Sequence, residues 1–173
     1  MPMNTNAKSL DVLKRYDATG ITGMESQREN DLFFVCAVIE VIGGMTKNRR
    51  GVVVQSLDTT EIARLLELAD VFHCEPGENT ATDMIARYSI ATGSFDNVAL
   101  CKYNVPTHFD IAKVYKRLIV AVADAQNTSL TDAPCQVYAS WISEKIDDYN
   151  ASMYFENPQY LYASYCAGEA IKD

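Results

Sequence analysis

The segment Leu32–Ile42 reads LFFVCAVIEVI and is the longest apolar run in the chain. Apolar residues recur in it at steps of three and four positions, which is the period of an α-helix. The intervening positions are also apolar, and a helix that is hydrophobic on nearly every face lies in the middle of a domain. The run is too short to span a bilayer. It therefore predicts a buried core helix, whose main stripe is Leu32, Val35, Cys36, Ile39 and Ile42.

Signals on both sides of this run define its expected ends. Thr22–Glu25 has the form of a capping box, which opens a helix, and the pair Gly43 and Gly44 is expected to close it. Further upstream, residues 1–8 are predicted to be a flexible tail. Ser9 is expected to cap a short helix that extends to about Tyr16.

Helical spacing also dominates the sequence downstream of the core run. No alternation of strands and helices is visible, so a dinucleotide-binding fold is disfavoured. We therefore predict an all-α protein, an irregular bundle of seven or eight helices, with residues 9–173 as one domain. The expected helices start at Asp58–Glu61, at Asn79 or Thr80, at Thr107, near Pro134 with a face from Val137 to Tyr149, and at Asn157–Pro158.

Two stretches allow more than one conformation. In Thr46–Leu57 the run Val52–Val54 favours a strand by propensity, but no second strand is evident to pair with it, so we favour a helix. Asn97–Val105 is either extended or a short helix.

Composition narrows the classes of function. The formal net charge is −8, which opposes broad non-specific nucleic-acid binding. The five cysteines are widely spaced and odd in number, as in a reduced protein rather than a disulfide scaffold. The polar start of the chain does not read as a signal peptide. We therefore expect a cytoplasmic location, no membrane association and no nucleic-acid partner.

Glu40 is the single charged residue within the core run. A carboxylate on such a helix needs a partner or access to water. It is either an acid or base group with a raised pKa or a structural anion paired with a basic residue, and we favour the second interpretation.

Two basic clusters and one acidic cluster stand out in this acidic chain. The basic clusters could bind an acidic partner or a phosphate, although a solvated face is the simpler interpretation. The acidic cluster has helical spacing, and its helix is expected to pack antiparallel to the helix before it. We therefore hypothesise that Lys116 and Asp147 face each other. The clusters are Lys47, Arg49 and Arg50; Lys113, Lys116 and Arg117; and Glu144, Asp147 and Asp148.

Motifs for catalysis or cofactor binding are absent from the sequence. There is no phosphate-binding glycine loop of the P-loop or dinucleotide type, and no pair of closely spaced zinc ligands. His73 and Cys74 are neighbours in sequence, but a catalytic pair must be adjacent in space. We therefore expect no catalytic residue, no metal and no cofactor. Tyrosines near the C-terminus, including Tyr154 and Tyr160, suit either a protein interface or the core.

One resemblance bears on function. The run from Glu29 to Glu40, ENDLFFVCAVIE, followed by the stripe Ile62–Phe72, resembles a family of short uncharacterised bacterial proteins. Their early helix carries a Phe, a Cys, an Ile and a Glu. The resemblance covers the first half of the chain and transfers no site residue. It implies a small helical protein of the kind often encoded beside an ADP-ribosyltransferase-like toxin domain, with a partner or regulatory role.

Two functional classes follow from the sequence. The first is a non-enzymatic protein-interaction or regulatory, antitoxin-like partner, which the lack of any catalytic motif favours. The alternative is a small helical enzyme or ligand-binding protein with a polar pocket near Glu40.

Overall fold

A computed structural model describes residues 26–72 and 74–172. These residues form nine α-helices and one 3-10 turn, and no strand occurs among them, so the predicted all-α class is confirmed. None of the helices in the described ranges is both long and apolar enough to cross a membrane. The helices are α1 Gln27–Thr46, α2 Arg50–Glu67, α3 Ala69–Phe72, α4 Gly77–Tyr88, α5 Asn97–Leu100, α6 His108–Gln126, α7 Asp132–Ala139, α8 Trp141–Asp147 and α9 Pro158–Ala167, with the 3-10 turn Met153–Phe155 between α8 and α9.

Helix α1 is the centre of the bundle. It packs against α6, α4 and α2, and all five members of its predicted stripe are inaccessible to solvent. Burying a large aliphatic side chain contributes about 1.5–3 kcal/mol to the free energy of folding. The core-helix prediction from the Leu32–Ile42 run is therefore confirmed.

The ends of α1 differ from the predicted ones. Ser26 caps its N-terminus, where the Ser26 hydroxyl accepts the backbone N–H of Glu29 at 3.3 Å. The predicted capping box at Thr22–Glu25 lies outside the described residues, as do the predicted tail and the short helix before it.

The predicted stop at Gly43 and Gly44 is wrong. The helix continues to Thr46 and ends at Lys47, whose left-handed backbone, with φ 55°, donates its N–H to the carbonyl of Gly43. Glycine inside a helix costs about 1 kcal/mol relative to alanine, and the burial of α1 outweighs that cost.

Helix α2 contains a break that the sequence identifies. The helix favoured for Thr46–Leu57 is present from Arg50 onward. At Asp58 the backbone leaves the helix, with φ 61° and ψ 176°. The Asp58 carboxylate accepts the N–H groups of Thr60 at 2.8 Å and Glu61 at 3.2 Å. Asp58 therefore starts a second helical segment, as its capping-box pattern predicts.

Other predicted helices shift or split. The helix expected to run through Val137 to Tyr149 divides at Ser140, whose backbone is extended and whose hydroxyl donates to the carbonyl of Val137 at 2.6 Å. Such a bond competes with the helical pattern. Helix α4 starts at Gly77, slightly before the predicted Asn79.

Asp58 provides a test of the break. A backbone with this combination of φ and ψ is nearly exclusive to glycine and costs another residue about 1–3 kcal/mol. We expect Asp58→Gly to be more stable than Asp58→Ala by about 1–2 kcal/mol in chemical denaturation, because alanine keeps the strain and loses the cap. A more stable alanine variant, the order expected inside a regular helix, would contradict the broken geometry.

Candidate functional site

Glu40 lies in the core and is paired with an arginine. Its side chain is 1% exposed, and its Oε2 atom accepts the Nε–H of Arg50 at 2.9 Å. Arg50 stands at the first position of α2, immediately after the short connection from α1. The short connection therefore places the Arg50 guanidinium against α1, the helix that carries the Glu40 carboxylate.

Arg50 also contacts the other end of the chain. Its backbone N–H donates to Oδ2 of Asp147 at 3.0 Å, and its Nη1 donates to the carbonyl of Asn48 at 2.9 Å. The prediction that Arg50 belongs to an accessible basic cluster is wrong, since its side chain is 3% exposed and is used inside the protein.

Asp147 completes what we call the buried charged cluster: Glu40, Arg50, Tyr115 and Asp147. Asp147 is 1% exposed, and its Oδ1 accepts the hydroxyl of Tyr115 at 2.6 Å. Ser143 lies one turn earlier on α8, with its Oγ at 2.8 Å from the Tyr115 hydroxyl oxygen. The cluster thus joins α1, α2, α6 and α8.

The predicted meeting of α6 and α8 takes a different form. From α6, Tyr115 contacts Asp147 by donating its hydroxyl to the Asp147 carboxylate. Lys116 is also buried, so it is not part of a solvated basic face. The predicted solvated face is therefore wrong at Lys116. The coupling of Lys116 with Asp147 remains a prediction.

Burial sets the acidity of the cluster. It raises the pKa of Glu40 from its ordinary value of 4.5 to about 7; the Arg50 charge opposes this rise and the Asp147 charge adds to it. Burial likewise raises the pKa of Asp147, against the Tyr115 hydrogen bond and the Arg50 charge. Because the folded protein binds the Glu40 proton more tightly, the stability linked to that proton is complete below pH 4.5 and is lost as pH rises through about 7.

The thiol of Cys36 lies one helical turn before Glu40 and is fully buried. Burial raises its pKa to about 12, and the Glu40 charge adds to the rise. A thiol in this state carries almost no thiolate at neutral pH, so Cys36 is a packing residue rather than a nucleophile.

An aromatic groove lies beside the cluster. It encloses about 400 Å³ between the loop that follows α5 and the segment that follows α8. Its lining combines aromatic rings with amide and hydroxyl groups. The lining residues are Tyr103, Asn104, Tyr149, Asn150, Ala151, Ser152, Tyr154 and Phe155.

The two walls of the groove are hydrogen-bonded to each other. The Asn150 side chain donates to the carbonyl of Leu100 at 2.9 Å and accepts the N–H of Lys102 at 2.8 Å. Asn97 donates to the backbone carbonyl of Asp147 at 3.1 Å. The loop after α5 is therefore held in position without regular secondary structure.

Tyr149 connects the groove to the buried charged cluster. It is 4% exposed and lines the groove. Burial raises the pKa of Tyr149, and the nearby Glu40 charge adds to the rise. The other Glu40 oxygen, Oε1, is buried and has no partner with hydrogen-bonding geometry among the described residues.

The remaining predicted binding residues are dispersed over the surface. In the first basic cluster Lys47 pairs with Asp96 at 2.8 Å, and the Arg49 guanidinium lies 4.3 Å from the centre of the Phe95 ring. These contacts compete with any acidic partner at those positions. Lys113 is exposed and Arg117 half-buried.

The two tyrosines predicted to bind a partner, Tyr154 and Tyr160, lie in different parts of the surface. Tyr154 lines the aromatic groove, with its ring edge-on to Phe155 at 5.0 Å. Tyr160 is half-buried, and its hydroxyl donates to the carbonyl of Ile171 at 3.1 Å.

Among the residues with described positions, no three His, Cys, Asp or Glu side chains are placed to hold a metal ion.

Comparisons with known proteins give no family. No protein-family model, curated protein or solved structure matches this chain.

Several members of the site escaped sequence reasoning. No motif or spacing in the sequence indicates a site role for Tyr115, Asn97 or Asn150. Their partners are distant in sequence, 32 residues away for the bond between Tyr115 and Asp147. The isolated Glu40 in an apolar run was the available signal, and it does not identify its neighbours.

Gly43 provides a test of the Glu40–Arg50 pair. A Cβ atom at Gly43 would lie 2.5 Å from Cδ of Arg50, whereas one at Gly44 would meet nothing within 4 Å. We expect Gly43→Ala to lower the free energy of unfolding by about 3–5 kcal/mol, because displacing the guanidinium leaves Glu40 buried without its counter-ion.

Gly44→Ala is the matched control. It should be neutral or stabilising by about 0.5–1 kcal/mol, since alanine is the better helix former. Equal effects of the two substitutions in urea denaturation would show that Gly43 has no special role.

Proposed function

We propose that this chain is a non-enzymatic interaction protein, a regulatory partner of the kind that the sequence resemblance implies. It binds a segment of a partner polypeptide in the aromatic groove. The observation that carries this proposal is the concentration of exposed apolar side chains around a groove whose walls are already held in place.

The exposed apolar side chains support a binding surface. Tyr103 is 70% exposed and Phe155 67% exposed, and both line the groove. Large exposed apolar side chains also stand on or near the loop after α5, namely Val98, Leu100 and Val105. A concentration of this kind is typical of protein interaction sites, and tyrosine is enriched at such sites.

The hydrogen bonds of Asn150 support specific binding. A surface that is ordered before binding loses less conformational entropy when a partner arrives. Asn150 fixes the backbone around Leu100 and Lys102, so the exposed rings are presented in one arrangement. The amide and hydroxyl groups of the lining can hydrogen-bond the backbone of an extended peptide.

Charge indicates the chemistry of the partner. The chain has a net charge of −8, and three of its basic side chains, Lys47, Arg50 and Arg64, are paired with carboxylates. Exposed Asp148 and half-buried Glu156 adjoin lining residues in sequence, as does exposed Lys102. Electrostatic attraction therefore favours a partner segment that carries lysine or arginine. The exposed rings of the groove favour an aromatic or large apolar residue between those basic residues.

The buried charged cluster argues against the enzyme alternative. A catalytic carboxylate must reach its substrate. Glu40 and Asp147 are only 2% and 1% exposed, and both bind groups of the protein itself. Arg50, rather than a substrate, therefore occupies the Oε2 atom of Glu40.

Synthetic peptides test the proposal. We expect a short peptide with a central tryptophan between lysines to bind with a Kd on the order of 10–100 μM by isothermal titration calorimetry. The same peptide with glutamate flanks should bind at least about tenfold more weakly. The double variant Tyr103→Ser/Phe155→Ser should reduce affinity by about tenfold or more, because central aromatic residues dominate binding energy.

Val71→Ser is the matched control, since Val71 is 65% exposed and lies on α3, outside the lining. It should leave peptide affinity unchanged. No binding of the lysine-flanked peptides, or equal binding by the groove variant, would overturn the proposed function.

A further inference from the structure

Adjacent aromatic rings of the groove lie at steep angles to each other. The ring centroids of Tyr154 and Phe155 are 5.0 Å apart and the ring planes cross at 89°. Those of Tyr149 and Tyr154 are 5.8 Å apart, with planes at 65°. Tyr103 adds a fourth ring from the opposite wall and is 70% exposed. Rings in such an arrangement form the corner of a box, which offers π faces on more than one side.

The π faces of this corner suit a positively charged group. The face of an aromatic ring carries partial negative charge and attracts a cation that lies over it. The surroundings act in the same direction, because the chain has a net charge of −8 and exposed Asp148 and half-buried Glu156 adjoin the lining in sequence. The groove therefore favours a cationic ligand.

The lining also distinguishes between kinds of cation. Among the described residues that line the groove, none is charged. An unmodified lysine ammonium is strongly hydrated, and the neutral amide and hydroxyl groups of the lining replace its lost water less well than a carboxylate does. Methylation keeps the positive charge of lysine and replaces its N–H donors with methyl groups, which pack on aromatic rings. The lining therefore favours a quaternary ammonium over a primary one.

We propose that the aromatic groove is a cage for a trimethylated lysine side chain of the partner segment. This inference rests on the proposed function, because the partner polypeptide supplies the lysine. The volume of the groove, about 400 Å³, is at the small end of the range for ligand sites, as a cage for a single side chain requires. Methylation of one lysine in the partner thus strengthens its recognition.

Calorimetry with three versions of the lysine-flanked tryptophan peptide tests the cage. One version is unmodified, one has a trimethylated lysine, and in the third an uncharged tert-butyl group of the same shape replaces the trimethylammonium group. We expect the trimethylated peptide to bind about fivefold more tightly than either of the others, because the attraction needs both the charge and the methyl groups. Equal affinities for the trimethylated and tert-butyl peptides would overturn the inference.

A matched pair of ring substitutions locates the effect. Phe155→Leu keeps an apolar side chain without a π face, and we expect it to reduce the preference for the trimethylated peptide to about twofold or less. Phe109→Leu is the control, since Phe109 is 54% exposed on α6 and lies outside the lining. It should keep the wild-type preference. A preference that survives in both Phe155→Leu and Tyr154→Leu would contradict the cage.

Free probes separate this inference from the proposed function. In NMR spectra of the full chain, N-acetyl-trimethyllysine amide should shift the ring signals of Tyr154 and Phe155. These shifts without any peptide binding would support the cage and refute the proposed function, whereas peptide binding that ignores methylation would do the reverse. Choline bound more tightly than the trimethylated peptide would assign the groove to a free small molecule and overturn the partner's lysine as its ligand.

Discussion

The bond between Glu40 and Arg50 is the constraint on which the arrangement of the bundle depends. A carboxylate in the central helix is tolerable only if its charge is compensated, because an isolated buried charge is strongly destabilising. The compensating guanidinium comes from the first turn of the next helix, so the pair sets the angle at which the chain returns after α1. Arg50 also donates its backbone N–H to Asp147, which brings α8 to the same place.

The rest of the site follows from that placement. Asp147 is fixed by Arg50 and Tyr115, and the residues after it form one wall of the aromatic groove. Asn150 then positions the opposite wall. A buried polar network thus extends to the walls of the aromatic groove. In our account, the core provides the rigidity that the exposed rings need to recognise a partner.

The sequence predicts the helices well and the site poorly, for physical reasons. Periodic burial and capping are local properties, so the stripe of α1, the start at Asp58 and the capping box at Thr107 can be read directly. Arg50 can reach Glu40 because Gly43 has no side chain in the way. A rule based on local sequence interprets the same glycine as a helix stop. The depth of Lys116 depends on neighbours from several helices, and helical spacing alone places it on a solvated face.

A double-mutant cycle at Glu40 and Arg50 tests the central claim most directly. The free energy of unfolding would be measured for Glu40→Met, Arg50→Met and the double variant at one pH. The account predicts that each single variant loses about 3–5 kcal/mol, because each leaves one buried charge without its partner. It also predicts that the double variant is more stable than the sum of the two losses implies, by at least about 2 kcal/mol. Strictly additive losses would show that the two side chains do not depend on each other, which would contradict the account.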